Sequence, residues 1–242
     1  MTHGIAPDQM NSSALNDFAD EETDSSYVYL SGYKPRSIAE QAKILHQHFP
    51  QLGISWKEVV ELPVGAEGWF AIPRWRKLAP SYNDAVELVL RELSKQRNGK
   101  FTNYQQGELG PDRLRETIQK TKVFEVIGRH QEGRDLLIIG AQFGFEHRGK
   151  SVRRVRVITN CGNQFGLGAF EVGIMLLSHF ERLNDFDDLW ADCPGDEYCY
   201  ITEHGFVLAP CFAFNGQNLE FRTGKIADIA DWCGSVTGFH TQ

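Results

Sequence analysis

The string Gly144-Phe145-Glu146-His147-Arg148-Gly149-Lys150-Ser151 concentrates more potential chemistry than any other stretch of the chain. It satisfies the phosphate-loop pattern G-x-x-x-x-G-K-[ST] and follows the apolar run Leu136-Leu137-Ile138-Ile139, as that pattern requires. In such a loop Gly144 and Gly149 let the backbone N–H groups cradle phosphates, Lys150 meets the terminal phosphates and Ser151 holds Mg²⁺. Three features count against it. The variable positions are bulky and include the acidic Glu146. The following helix would be the short, β-branched stretch Val152–Thr159, and no later apolar strand ends in an Asp that could complete a Mg²⁺ site. A P-loop-like nucleotide hydrolase built on Gly144, Gly149, Lys150 and Ser151, with Mg²⁺ as its cofactor, is the alternative reading.

The same region reads differently by charge. His147, Arg148, Lys150, Arg153, Arg154 and Arg156 crowd into residues 147–156, with Phe143 and Phe145 just upstream. Clustered guanidinium groups beside aromatic rings suit the phosphates of a nucleic acid or nucleotide. The sequence therefore predicts phosphate contacts from Arg148, Lys150, Ser151, Arg153, Arg154 and Arg156, positioning a ligand without reading its sequence. The competing reading is a basic face paired internally. The acidic run Asp185, Asp187, Asp188, Asp192, Asp196 and Glu197 is one partner, and the acidic N-terminus, which could cover the patch, is another.

Two further chemistries are weaker. Cys161, ahead of a helix expected near Leu167, could be a nucleophile with His204 as its base, which gives a cysteine hydrolase as a third reading. Cys193, Cys199, His204 and Cys211 fit no standard zinc spacing, and no calcium-loop order is present, so no metal is expected. Trp69, Trp75, Trp190 and Trp232 with Phe70 could form an aromatic platform, although such residues more often fill a core. A protein-binding adaptor using the Trp-rich loop would have the same sequence features.

Charge sets the frame for these residues. The chain has 242 residues and a net charge of −7. Residues 1–26 hold Asp8, Asp17, Asp20, Glu21, Glu22 and Asp24 with no Lys or Arg, which leaves a nearly neutral body. The reading is a disordered acidic tail over 1–26 and a single globular domain over 27–242. Five cysteines, an odd and sparse set, point to free thiols and a cytoplasmic location. No basic, apolar leader is visible, and no run of ~20 apolar residues is present, so no membrane partner is expected.

The elements that would position these groups follow from periodicity and caps. A helix is expected from Ser37 to Phe49 with a capping box at Ser37 and Glu40. Residues 62–80 read as an apolar loop packed on the core. A second helix starts after Ser81, with Tyr82, Val86, Val89 and Leu93 on one face, and a third runs from Pro111 to about Gly128. A slip of the apolar period near Thr121 leaves a strand over Val123–Ile127 as the alternative for the second half of that third helix. Leu136–Ile139 is a buried strand, Val152–Thr159 is helix or strand, and Leu167–Phe180 is an interior helix. Three β runs follow, near Tyr198–Thr202, Phe206–Phe214 and Leu219–Arg222, the last two joined at Asn215-Gly216. The fold class predicted is α+β, a helical N-terminal half and a β-meander-containing C-terminal half around one core. The functional expectation is a non-catalytic cytoplasmic binding protein acting through segment 147–156.

Overall fold

The computed structural model describes residues 15–58, 61–200 and 205–240. These residues form five helices and eleven strands in an α+β arrangement. Helix α1 (Ile38–His48) opens on the expected capping box: the Ser37 hydroxyl accepts the Glu40 amide and the Glu40 carboxylate accepts the Ser37 amide. Helix α2 (Tyr82–Gln96) starts after Ser81 and buries Val86, Val89 and Leu93, as its period predicts. Helix α5 (Ala169–Ser178) is buried at every residue and packs against α1, α2 and strand β1 (Gly68–Pro73). Gly173 allows that closeness, because a Cβ there would lie 2.6 Å from a Val89 methyl carbon.

Three expectations change at this level. Strand β1 occupies part of the stretch read as a packed loop, pairing antiparallel with β4 (Leu136–Gln142) from Gly68↔Ala141 to Pro73↔Leu136. Its middle residues, Phe70, Ala71 and Ile72, are all buried, so the polar–apolar alternation that marks a strand is missing. The outer edge of β1 is satisfied by Gln41 of α1, which accepts the Ala71 amide at 2.9 Å and donates to the Trp69 carbonyl at 2.8 Å.

The helix expected from Pro111 begins later. Pro111 sits inside a turn closed by the Arg113 amide on the Gly110 carbonyl at 2.9 Å. Strand β3 (Leu114–Glu116) follows, drawn into the sheet by β7 (Asp196–Tyr198). Helix α3 (Ile118–His130) then starts after Thr117, whose hydroxyl accepts the Lys120 amide. With β1, β2 (Phe101–Asn103) and β3 in it, the first half is not purely helical.

Residues 15–26 are the third difference. Their composition predicts part of a mobile tail, yet they lie against the body and Glu21 is buried; residues 1–14 lie outside the described residues. The open choice at Val152 resolves as helix α4 (Val152–Cys161), capped by the Ser151 hydroxyl on the Arg154 amide.

The strands form two sheets. In the first, β4 lies between β1 and β11 (Thr237–Phe239), and β11 continues to β5 (Gln164–Gly166), every pair antiparallel. The second runs β10 (Cys233–Ser235), β6 (Trp190–Asp192), β8 (Leu208–Asn215), β7, β3, with β9 (Asn218–Lys225) joining β8 to β2. The hairpin β8–β9 turns over Gly216-Gln217 between paired Asn215 and Asn218, with Gly216 at φ +63°. One apolar cluster runs from Tyr33 to Val236 across both halves. Among the described residues no helix is long and apolar enough to cross a membrane.

His179, at the end of α5, gives the fold a pH dependence. The Arg36 amide donates to Nε2 at 3.0 Å, and the proton on Nδ1 faces the Met175 carbonyl at 3.0 Å, so the ring is held neutral. Burial lowers its pKa from 6.5 to about 4. The unfolded chain therefore binds the extra proton first as the pH drops. Stability from this group is complete above pH 6.5 and is lost as the pH falls towards about 4. The loss is about 3 kcal/mol. Urea unfolding at pH 4.5 and 7.5 checks it: the difference should shrink in His179→Gln, and an unchanged difference would remove His179 as the cause.

Candidate functional site

Segment 144–156 runs from the end of β4 into the first turns of α4. Its amides are already in use. Gly144 and Glu146 donate to Gln142 Oε1, Phe145 to the Tyr29 hydroxyl, His147 to the Gly144 carbonyl, and Gly149 to the Cys233 carbonyl. Lys150 and Ser151 donate to the His147 and Glu21 carbonyls. The interior of the loop is filled by His147, whose Nε2 lies 2.8 Å from Gln164 Oε1, while Gln164 donates to Glu146 at 2.8 Å. Desolvation lowers the His147 pKa. A phosphate cradle needs those amides free and that interior empty. In addition, β4 is antiparallel to both neighbours, unlike the parallel strand of a nucleotide-binding βα unit. The string keeps the spacing of a phosphate loop without its geometry.

The basic side chains are on the outside, and residues 15–25 lie across them as a strap. Backbone bonds anchor the strap: the Thr23 amide donates to the Gly149 carbonyl at 2.8 Å and the Ser151 amide to the Glu21 carbonyl at 3.0 Å. The Glu21 carboxylate reaches the first turn of α4, accepting the Ser151 hydroxyl at 2.6 Å and pairing with the Arg153 guanidinium. Arg153 pulls the Glu21 carboxyl below its ordinary range; burial opposes this and Ser151 adds to it. Arg154 pairs with Glu22 at 2.6 Å and also donates to the Asp17 carbonyl at 3.1 Å. Arg148 donates to the Ser25 carbonyl at 3.0 Å and stacks 4.0 Å over the Phe145 ring. Lys150 faces Glu22 at 4.0 Å. Gly149 cannot carry a side chain here, since a Cβ would fall on the Thr23 carbonyl oxygen and its φ is +72°.

Arg156 stands apart from that group. It donates to the Pro194 and Asp196 carbonyls at 3.0 and 2.7 Å, with Glu197 at 3.9 Å. Four of the sequence-predicted cations, Arg148, Lys150, Arg153 and Arg154, thus share one strip under the strap, whereas Arg156 ties α4 to the β7 region. Of the acids expected to pair with the segment, Glu197 reaches Arg156, and the N-terminal residues supply the rest.

The other candidates do not converge. Cys161 is the last residue of α4, strand β5 separates it from α5, the helix whose N-terminus was expected to activate it, and His204 lies outside the described residues. Cys193 and Cys211 are buried, and burial raises both thiol pKa values. Among the described residues, no three His, Cys, Asp or Glu side chains gather to hold a metal ion. Of the aromatic set, Trp190 and Trp232 meet edge to face at 6.3 Å, while Phe70 is buried on β1.

Sequence reasoning missed a buried charged cluster at the start of α5. Lys120 Nζ donates to the Tyr82 hydroxyl at 2.7 Å, to Glu171 Oε2 at 2.8 Å and to Asp196 Oδ1 at 3.0 Å. The Tyr82 hydroxyl donates to Asp196 Oδ2 at 2.6 Å, and the amides of Gly168 and Ala169 close on Glu171 and Asp196. Lys120 is wholly buried. Burial works against its ammonium, but Asp196, Glu171 and Glu116 outweigh it and raise its pKa. A depression of about 770 Å³ reaches this cluster at Glu116 and Glu171. With Lys120's three protons all placed on acceptors, the cluster reads as a structural tie between α3, α5 and β7. Its residues lie far apart in sequence, and no local motif marks them.

No family model, curated protein or solved structure matches this chain.

Proposed function

We propose that the chain is a non-catalytic cytoplasmic binding protein that takes the phosphate groups of a nucleic acid or nucleotide on Arg148, Lys150, Arg153 and Arg154. One observation carries this reading: the strip already holds an oxyanion, the Glu21 carboxylate, at the first turn of α4 against the Ser151 hydroxyl and the Arg153 guanidinium. A strap carboxylate in that place is a stand-in for a phosphate oxygen. Residues 15–25 carry five acids, and the carboxylates of two of them, Glu21 and Glu22, meet Arg153, Arg154 and Lys150 while the strap is down. Lifting it turns the strip strongly positive. Ligand and strap therefore compete for the same groups. Cys193 and Cys211, buried and without a disulfide, fit the proposed reducing compartment.

The test is a salt titration with a short single-stranded RNA. Affinity should fall with salt at about 0.7 log unit per log unit for each phosphate neutralised. Arg153→Ala with Arg154→Ala should lower that slope by roughly one and a half. Affinity indifferent to salt, or a slope untouched by the double variant, rejects the reading.

A further inference from the structure

A second cavity lies beside the basic strip, on the outer face of the larger sheet. Strand register places Asp192, Cys211 and Arg222 in one row across β6, β8 and β9, with Cys233 and Trp190 in the adjoining row. The alternate residues Ala191, Phe212 and Phe221 face the core. The outer rows line a pocket of about 590 Å³, closed at its sides by Tyr104, Tyr200 and Trp232. Trp232 and Tyr104 are 43% and 55% exposed, so aromatic surface is open to a ligand.

Asp192 is the unusual member. Among the described residues its carboxylate receives no hydrogen bond and no ion pair, although the residue lies deep enough that desolvation alone raises its pKa to about 7. The residue is half-buried and lines the pocket. Arg222, the nearest cation in the row, is held by Glu220 at 2.9 Å and sits 5.3 Å over both the Trp190 and Tyr104 rings. An unpaired carboxyl beneath aromatic walls is incomplete without a donor-bearing ligand.

The basic strip is joined to this pocket by backbone. The Gly149 amide donates to the Cys233 carbonyl at 2.9 Å, and the Arg153 amide to the Ile226 carbonyl at 2.8 Å. The segment between those carbonyls, 226–233, supplies one wall of the pocket, and Val152 lines it as well. Aromatic rings and an acceptor pair thus lie one wall away from the phosphate strip.

We propose that this pocket binds a guanine base, stacked on the tryptophan surface, with N1–H and the N2 amino group donating to the two oxygens of Asp192. Guanine is the common base that presents two adjacent N–H donors on one edge, the pattern a bare carboxylate accepts. Adenine and cytosine place an acceptor beside their amino group and leave one carboxylate oxygen facing a lone pair. Stacking supplies affinity shared by all bases, and Asp192 supplies the preference. The inference rests on the phosphate reading only for the position of the attached phosphate.

Four probes separate the two: guanosine, GMP, AMP and ribose 5-phosphate, followed by quenching of tryptophan fluorescence and by calorimetry. The expected result is GMP at least tenfold tighter than AMP, with guanosine binding measurably on its own. Asp192→Asn, close in shape, should bring GMP to the AMP level and leave ribose 5-phosphate unchanged. Trp232→Ala, at a ring that lines the pocket and is 43% exposed, should weaken both nucleotides. Equal affinity for GMP and AMP, or a preference that survives Asp192→Asn, overturns the base assignment. Guanosine binding without ribose 5-phosphate binding keeps the pocket and rejects the phosphate strip.

Discussion

Replacing Lys120 by methionine is expected to cost about 3–5 kcal/mol of folding stability, a large share of what a domain of this size possesses. The substitution keeps the stem and removes the ammonium. Asp196 and Glu171, both buried, then lose the cation that lies 3.0 and 2.8 Å away. The helix-start amides and the Tyr82 hydroxyl remain, but they do not neutralise two carboxyl groups in a dry site. Burial pushes the Glu171 carboxyl upward, with Lys120 the main opposing influence, so the variant should take up a proton there. Chemical denaturation of the purified protein measures the cost. Combining Lys120→Met with Glu171→Gln should restore part of it, because the second change removes a carboxylate left without its partner. A loss under about 1 kcal/mol, or no recovery in the pair, would mean the cluster does not hold the fold as argued.

The second large effect concerns the strap. Glu21→Gln with Glu22→Gln removes both carboxylates that pair with Arg153, Arg154 and Lys150. It should strengthen binding of a short RNA by about tenfold, equivalent to some 1.4 kcal/mol. The backbone bonds at Thr23 and Ser151 persist in this variant, so the fold should be kept and its melting temperature should move little. Gly149→Ala tests the same contact by shape, since its Cβ collides with the Thr23 carbonyl. Tighter binding in the charge variant alongside an unchanged Arg153/Arg154 dependence identifies the strap as a competitor. Unaltered affinity would make residues 15–25 a fixed part of the surface.

The sequence discloses those parts of the molecule that local rules govern. The caps at Ser37 and Ser81 set the starts of α1 and α2, and the apolar period read over Leu167–Phe180 marks α5, buried from Ala169 to Ser178, while Phe180 beyond it is exposed. Strands β1 and β3 escape such reading for different reasons. Buried Phe70–Ile72 has no alternation, and three-residue β3 owes its form to β7, some eighty positions away. The phosphate-loop spacing misleads because a pattern records residue types but not where the amides point; here they point into the protein. The basic strip was visible as clustered charge, and so was its acidic cover, although the cover binds more closely than a mobile tail would. Asp192 was visible only as one member of an acidic run. Its isolation under Trp190 and Trp232 follows from strand register, which no local window contains.

The central claim is that phosphate groups replace the strap on Arg148, Lys150, Arg153 and Arg154. Residue-resolved amide hydrogen exchange with and without a saturating short RNA tests it most directly. The Thr23 and Ser151 amides, which pin the strap to the loop, should exchange faster in the complex, while the Leu136–Gln142 strand is unchanged. Unaltered exchange at Thr23 and Ser151, with protection appearing elsewhere on the molecule, would contradict displacement and place the ligand on another surface.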